Sequence, residues 1–179
     1  MPGDILKVDG FLNHAIDVPF ILEMGREIAR LYEGTGVNKI LTIETSGIPI
    51  AFAAAMEMGL PMVFVKKSKS GNISDDVYSA SVTSFTKKNT YDAVVSKEFL
   101  KKDDRLLVID DFLAKGNALH GLLAIAEQAG ATVVGCAIAI EKGFQGGGDE
   151  LRAQGVRVDS LAIVDSMSDT SLTFREQGM

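Results

Sequence analysis

Leu106-Leu107-Val108-Ile109-Asp110-Asp111-Phe112-Leu113-Ala114-Lys115-Gly116-Asn117-Ala118 is the stretch on which the fold turns. Arg105 to Ile109 is apolar enough for a buried strand. Asp110 to Asn117 reads as a turn, and Ala118 to Gln128 as a helix stopped by Gly130. Ala131 to Ile140 is the next strand. The same order occurs earlier in the chain. Lys39 to Ile43 is strand-like, Glu44-Thr45-Ser46-Gly47 is a polar turn, and Ile48 to Met58 is an alanine-rich helix closed by Gly59. Pro61 to Val65 is a second short apolar strand. Strand, turn, helix, strand in that order builds a parallel sheet with right-handed crossovers. The fold class is α/β, with a central, mostly parallel sheet flanked by helices.

Working outward, Asp17 reads as an N-cap with Pro19 in the first turn. Phe20, Ile21, Met24, Ile28 and Leu31 follow at helical spacing, and Gly34 and Gly36 end the helix. Residues 66–81 are polar and aperiodic, which predicts a mobile functional loop or a distorted hairpin. Val82 to Thr86 and Tyr91 to Ser96 read as paired strands. Glycines at 143, 146, 147 and 148 mark a loop before a short helix near Asp149 to Gln154. Val156 to Val164 closes the core, and Leu172 to Phe174 reads as a final strand.

Composition bounds the function. With no linker, repeat or low-complexity run, residues 1–179 read as one domain. The 18 Lys+Arg against 24 Asp+Glu give a net charge of -6, which argues against a nucleic-acid partner. One cysteine, Cys136, excludes an internal disulfide and a cysteine-cluster metal site. No basic-then-apolar leader and no long apolar run are visible, so the expectation is a soluble, cytoplasmic protein without a membrane partner.

In parallel sheets, ligands sit beyond the carboxyl ends of the strands. Four such places stand out: Glu44 to Gly47, Lys66-Lys67-Ser68-Lys69, Asp110 to Ala118, and Glu141-Lys142-Gly143-Phe144. The third says most. Backbone N–H groups at the start of the helix would cradle an anion, while the adjacent carboxylates accept sugar hydroxyls. That pairing suits a sugar phosphate, against the plainer alternative of a solvated acidic turn. Direct ligation of Mg²⁺ by Asp110 and Asp111 is the other use of the pair; hydroxyl contact is preferred. Ser46 lacks the flanking glycines of a nucleophile elbow. His14 and His120 have no metal-ligand spacing, and Gly146 to Gly148 carries no dinucleotide fingerprint.

The stretch from Leu106 to Ala118 resembles the phosphoribosyl pyrophosphate (PRPP) motif of type I phosphoribosyltransferases. Usual members carry Thr-Gly and a further Thr where this chain has Lys115-Gly116-Asn117-Ala118. It is closer to the xanthine-using branch, whose loop reads Ala-Asn-Gly-Gln-Ala. Leu6 to His14, Ile43 to Ile48, Ser84-Phe85-Thr86 and Ile140 to Gln145 are similar, in order, to that branch's remaining motifs.

The resemblance implies a small hood from the terminal segments over the strand ends. It implies purine salvage: xanthine and PRPP giving xanthosine monophosphate and pyrophosphate, with Mg²⁺ bound mainly through PRPP and no direct protein ligand. Alternatives are another 6-oxopurine enzyme, for guanine or hypoxanthine, or a PRPP-sensing regulator. A homodimer is implied as well. Ala114, Lys115, Gly116, Asn117 and Ala118 would hold the 5′-phosphate. Thr45, Ser46 and Gly47 would hold pyrophosphate. Asp110 and Asp111 would hold ribose hydroxyls and favour the developing cation. Lys66, Lys67 and Lys69 would reach pyrophosphate as the loop 66–81 closes, with Lys67 counted as catalytic. Lys142 would meet the 6-oxo group, Phe144 would stack on the purine, and Asn13 with the backbone near Leu6 would read the 2-position.

Overall fold

The computed structural model describes residues 6–68, 76–83, 90–168 and 170–177. In chain order its elements are α1 (Val18–Leu31), β1 (Lys39–Ile43), α2 (Gly47–Met58), β2 (Met62–Val65), β3 (Val77–Thr83), β4 (Thr90–Ser96), β5 (Arg105–Leu113), α3 (Asn117–Ala129), β6 (Thr132–Lys142), α4 (Gly147–Ala153), β7 (Val158–Met167) and β8 (Leu172–Phe174). A π-helical turn, Asp9–Asn13, precedes α1, and a 3₁₀ turn, Gly143–Gln145, follows β6.

The main sheet runs β2-β1-β5-β6-β7-β8. All its pairings are parallel except β7 with β8. Successive strand residues point to opposite faces, so an apolar run fills two layers at once. Leu41, Ile43, Leu106, Val108, Cys136 and Ile138 pack on one side with Leu119, Leu122 and Ile125 of α3. Ile40, Leu107, Ile109, Ala137 and Ala139 pack on the other with α1 and α2. The small residues of α2 let α1 approach closely: a Cβ on Gly25 would lie 2.6 Å from the Ala53 carbonyl carbon. Asp17 caps α1 as expected, accepting the Phe20 N–H at 3.1 Å.

Three expectations change. β5 runs through Asp110-Asp111-Phe112-Leu113 rather than turning there, because β6 pairs with it as far as Leu113 and Glu141. β6 likewise continues to Lys142. Residues 77–81 are strand, not loop: β3 pairs in antiparallel with β4 from Val77–Ser96 to Thr83–Thr90. Its Tyr78, Ala80 and Val82 pack onto the α3 layer, and the Gln128 side chain both accepts from and donates to the Ser79 backbone. Residues 69–75 and 84–89 lie outside the described residues, and with them the expected closing loop and Ser84 to Thr86.

The N-terminal segment crosses the carboxyl ends of the strands as a hood. Leu12, fully buried in the α1–α2 layer, anchors it. Burial of one such side chain contributes about 1.5–3 kcal/mol toward the cost of ordering the segment. Among the described residues no helix is long and apolar enough to cross a membrane.

Candidate active site

A cavity of about 680 Å³ opens at the carboxyl ends of β5 and β6. The sheet explains its contents: β5 delivers Asp111 and Phe112, the turn after it delivers Ala114 to Ala118, and β6 delivers Lys142. Leu6 and Asn13 come down from the hood, and Lys67 comes from the end of β2. A larger groove of about 1060 Å³ runs between α1 and β7 but contains none of residues 114–118.

The Ala114 to Ala118 loop is shaped by Gly116, whose φ of 82° is left-handed. An L side chain there is strained, so glycine suits the turn that aims the first N–H groups of α3 outward. Asn117 ties this helix start to the hairpin, its Nδ2 donating to the Thr83 carbonyl at 2.8 Å. Lys115 does not reach toward the cavity centre; its Nζ donates to the Gln145 carbonyl at 3.1 Å.

The two adjacent carboxylates have different surroundings. Asp111 is half-buried on the cavity wall. Asp110 is buried beneath the Glu44–Gly47 turn, where it accepts the Asp111 N–H at 2.9 Å. A Cβ on Gly47 would lie 3.0 Å from Asp110 Oδ1, so the turn and this carboxyl are in direct contact. Burial, then the negative charge of Asp111, push the Asp110 carboxyl well above the usual carboxylate range. Thr45 is exposed and Ser46 half-buried at the head of α2.

Lys66 and Lys67 are fixed by their backbones. Lys66 exchanges hydrogen bonds with Val94 of β4 at 2.9 and 2.8 Å, and the Lys67 N–H donates to the Glu44 carboxylate. The Lys67 ammonium then sits 5.5 Å from the ring centre of Tyr91. Burial, with Asp110 and Glu44 nearby, raises the Tyr91 hydroxyl above its ordinary value. At the other wall, the Lys142 ammonium lies 5.7 Å from the Phe112 ring centre. Cation–ring contacts of this length are attractive by about 0.5–2 kcal/mol.

The structure thus brings together Leu6, Asn13, Lys67, Asp111, the 114–118 loop and Lys142. Thr45, Ser46, Gly47, Lys66 and Asp110 adjoin this set without lining the cavity, and Lys69 lies outside the described residues. Phe144 is exposed and does not line the cavity; the aromatic face beside Lys142 belongs to Phe112. Tyr91, Phe112 and Thr83 line the cavity without having been singled out in the sequence. Phe112 was within reach, since it sits inside the quoted stretch, but Tyr91 arrives only through the pairing of β4 with β3.

The phosphoribosyl transferase domain family matches residues 21–174. A xanthine phosphoribosyltransferase of Alkaliphilus metalliredigens is 50% identical over 174 residues, covering 97% of this chain and 86% of the relative. One from Bifidobacterium longum subsp. infantis is 53% identical over 176 residues, covering 97% and 91%. Among solved structures, adenine phosphoribosyl transferase from Trypanosoma brucei, in complex with AMP, pyrophosphate and ribose-5-phosphate, superposes with a TM-score of 0.77. That match covers 94% of this chain and 75% of the other at 19% identity, so it speaks to the fold alone. With the family's domain spanning most of the chain and relatives identical at about half of the aligned positions, the chain belongs to the phosphoribosyl transferase family.

Proposed function

We propose that the chain, acting as one domain, transfers the phosphoribosyl group of PRPP to xanthine in purine salvage. The products are xanthosine monophosphate and pyrophosphate. The observation that carries this reading is the convergence of an anion loop, a carboxylate and a cation on one cavity: Ala114 to Ala118, Asp111 and Lys142. The relatives' shared name supplies the purine.

In the reaction, a purine nitrogen displaces pyrophosphate from C1 of the ribose. Positive charge develops on the ring and negative charge on the leaving group. The loop N–H groups would hold the 5′-phosphate, and Asp111 would accept ribose hydroxyls and favour the ring cation. Asp110, buried behind it, would set the position of Asp111 and of the Gly47 turn. Thr45 to Gly47 with Lys66 and Lys67 would take the pyrophosphate. Phe112 and Lys142 would receive the base, with Leu6 and Asn13 at its 2-position.

Mg²⁺ carried on PRPP would offset the charge on the leaving pyrophosphate. The fit rests on Asp111, a carboxylate on the cavity wall beside the Ala114 to Ala118 loop. Asp111 is the carboxylate placed to meet its water shell.

A panel of purines with PRPP and Mg²⁺ tests the reading. Xanthine is expected to lead in kcat/KM, guanine and hypoxanthine to follow, and adenine to be essentially unused. Adenine as best substrate would overturn the base assignment.

The enzyme would act in the cytoplasm as a homodimer. Phe52 and Met56, one turn apart on α2, are exposed, as is Phe64 on the edge strand β2. Exposed apolar groups of that size favour association. Sedimentation at working concentration is expected to give twice the 19.1 kDa chain mass; a monomer would refute the pairing.

A further inference from the structure

The loop that follows Lys142 is gripped from two sides. Toward the phosphate loop, the Gly147 N–H donates to the Ala114 carbonyl at 3.1 Å, and Lys115 reaches the Gln145 carbonyl. On the far side stands Arg175, just past β8. Its Nε donates to Asp165 Oδ1 at 2.9 Å and its Nη1 to Asp149 Oδ1 at 2.9 Å. Its Nη2 lies 2.8 Å from Asp165 Oδ1 and 3.4 Å from Asp149 Oδ2. Asp165 belongs to β7 and Asp149 to the first turn of α4, so one guanidinium joins two elements that flank the loop.

The grip is direct. A Cβ on Gly143, the residue after Lys142, would lie 2.8 Å from Asp165 Oδ1 and 3.0 Å from Arg175 Nη2. The loop backbone therefore rests on the ion pair itself. The Arg175 N–H also donates to the Ile163 carbonyl at 2.8 Å, which fixes where the guanidinium starts. A second pair continues the bracing: Arg152 holds the fully buried Glu141 through both oxygens, at 2.9 and 2.6 Å, and reaches Asp149 Oδ1 at 3.3 Å. Ser160 completes the Glu141 carboxylate. Arg175 does not line the 680 Å³ cavity, so it acts through the loop rather than on a ligand there.

We infer that Arg175 is a positioning residue of the base site: by bridging Asp149 and Asp165 it fixes the Gly143–Gly146 loop and so the direction in which Lys142 leaves β6. This rests on the reading of Lys142 as the cation that meets the purine. Single exposed ion pairs do little for stability, but a planar fork across two carboxylates has a geometry that lysine cannot reproduce. Its effect falls on alignment at the base end, since the phosphate loop has its own support in Gly116 and Asn117.

The test uses the full chain and varies xanthine and PRPP separately. Arg175→Gln is expected to raise the KM for xanthine about five- to tenfold, with kcat and the KM for PRPP within about twofold. Arg175→Lys should recover only part of the loss. At about 1 M salt, where charges screen within about 3 Å, the KM for xanthine should rise by a larger factor in the wild type than in Arg175→Gln. Hydrogen exchange on peptide 142–148, measured without substrates, should be faster in Arg175→Gln. Unchanged exchange, or equal losses for both substrates, would overturn the positioning role. If wild type turns over none of the purines, the functional reading fails, and the exchange experiment still decides the bracing. Asp165→Asn, which cuts one arm of the fork, serves in the same way if Arg175→Gln folds poorly.

Discussion

Gly147→Ala is expected to abolish most PRPP binding while leaving a folded protein. Gly147 is the first residue of α4 and is buried. A Cβ there would lie 2.4 Å from the Ala114 carbonyl oxygen, 2.6 Å from the Lys115 carbonyl carbon and 2.8 Å from the Gly116 nitrogen. All three are backbone atoms of the phosphate loop, so no side-chain rotation relieves the clash. Either α4 retreats and loses the Gly147 N–H bond to Ala114, or the loop shifts and its N–H groups no longer converge. Overpacking of this kind costs about 1–3 kcal/mol of stability, which a protein of this size survives. Displaced charge-assisted donors cost about 1.5–3 kcal/mol, or roughly ten- to a hundredfold in affinity. Gly146→Ala is the control. Gly146 has a φ of 78° with nothing within 4 Å of its added Cβ, so strain acts there without a clash. Calorimetric titration with PRPP, beside thermal unfolding, separates the two. Full affinity in folded Gly147→Ala would remove the phosphate site from this loop.

The strand cores were legible because an apolar run between turn signals needs burial on both faces, and Lys39 to Ile43 and Arg105 to Ile109 have nowhere else to go. Their ends were not. Asp110 and Asp111 look like turn residues, yet both extend β5, because the neighbouring β6 continues its pairing past them. Pairing partners are a property of the sheet, not of the stretch itself. Residues 77–81, open in sequence between a mobile loop and a distorted hairpin, join the β3–β4 hairpin for a related reason. Tyr78, Ala80 and Val82 do alternate with Ser79 and Ser81, but the support of this short strand, Gln128 and α3, is remote in sequence.

The site divides in the same way. Ala114 to Ala118 and Asp111 are local to one motif, and Lys142 stands at a strand end where ligands are expected. The contacts that cross between elements left no local signal: Tyr91 beneath Lys67, Phe112 beneath Lys142, and Asp110 beneath Gly47. Phe144 follows Lys142 closely in sequence, but in the 3₁₀ turn at Gly143–Gln145 it is exposed, and the ring on the cavity wall is that of Phe112.

Lys142→Met is expected to lower kcat/KM for every 6-oxopurine about ten- to a hundredfold, without changing the KM for PRPP. Phe112 offers the base an apolar face, and such a face accepts any purine. Discrimination must then come from polar groups. A lysine ammonium has three donors and no acceptor, so it pairs with a carbonyl oxygen and cannot pair with adenine's amino hydrogens. Methionine keeps much of the stem that lies near Phe112 and removes only the charge and its donors. A substrate oxygen then enters the cavity without its partner, and the cost of that unpaired acceptor sets the size of the loss. Xanthine, guanine and hypoxanthine share the 6-oxo group and should fall together, while adenine's poor rate should not worsen. Asn13→Ala should act differently: Asn13 and Leu6 line the same cavity, and if they read the 2-position the variant narrows the gap between xanthine and hypoxanthine, which differ at C2. Steady-state kinetics of both variants on the four bases measure this pattern. Unchanged xanthine kinetics in Lys142→Met would move the base site away from the end of β6 and leave the phosphate loop standing.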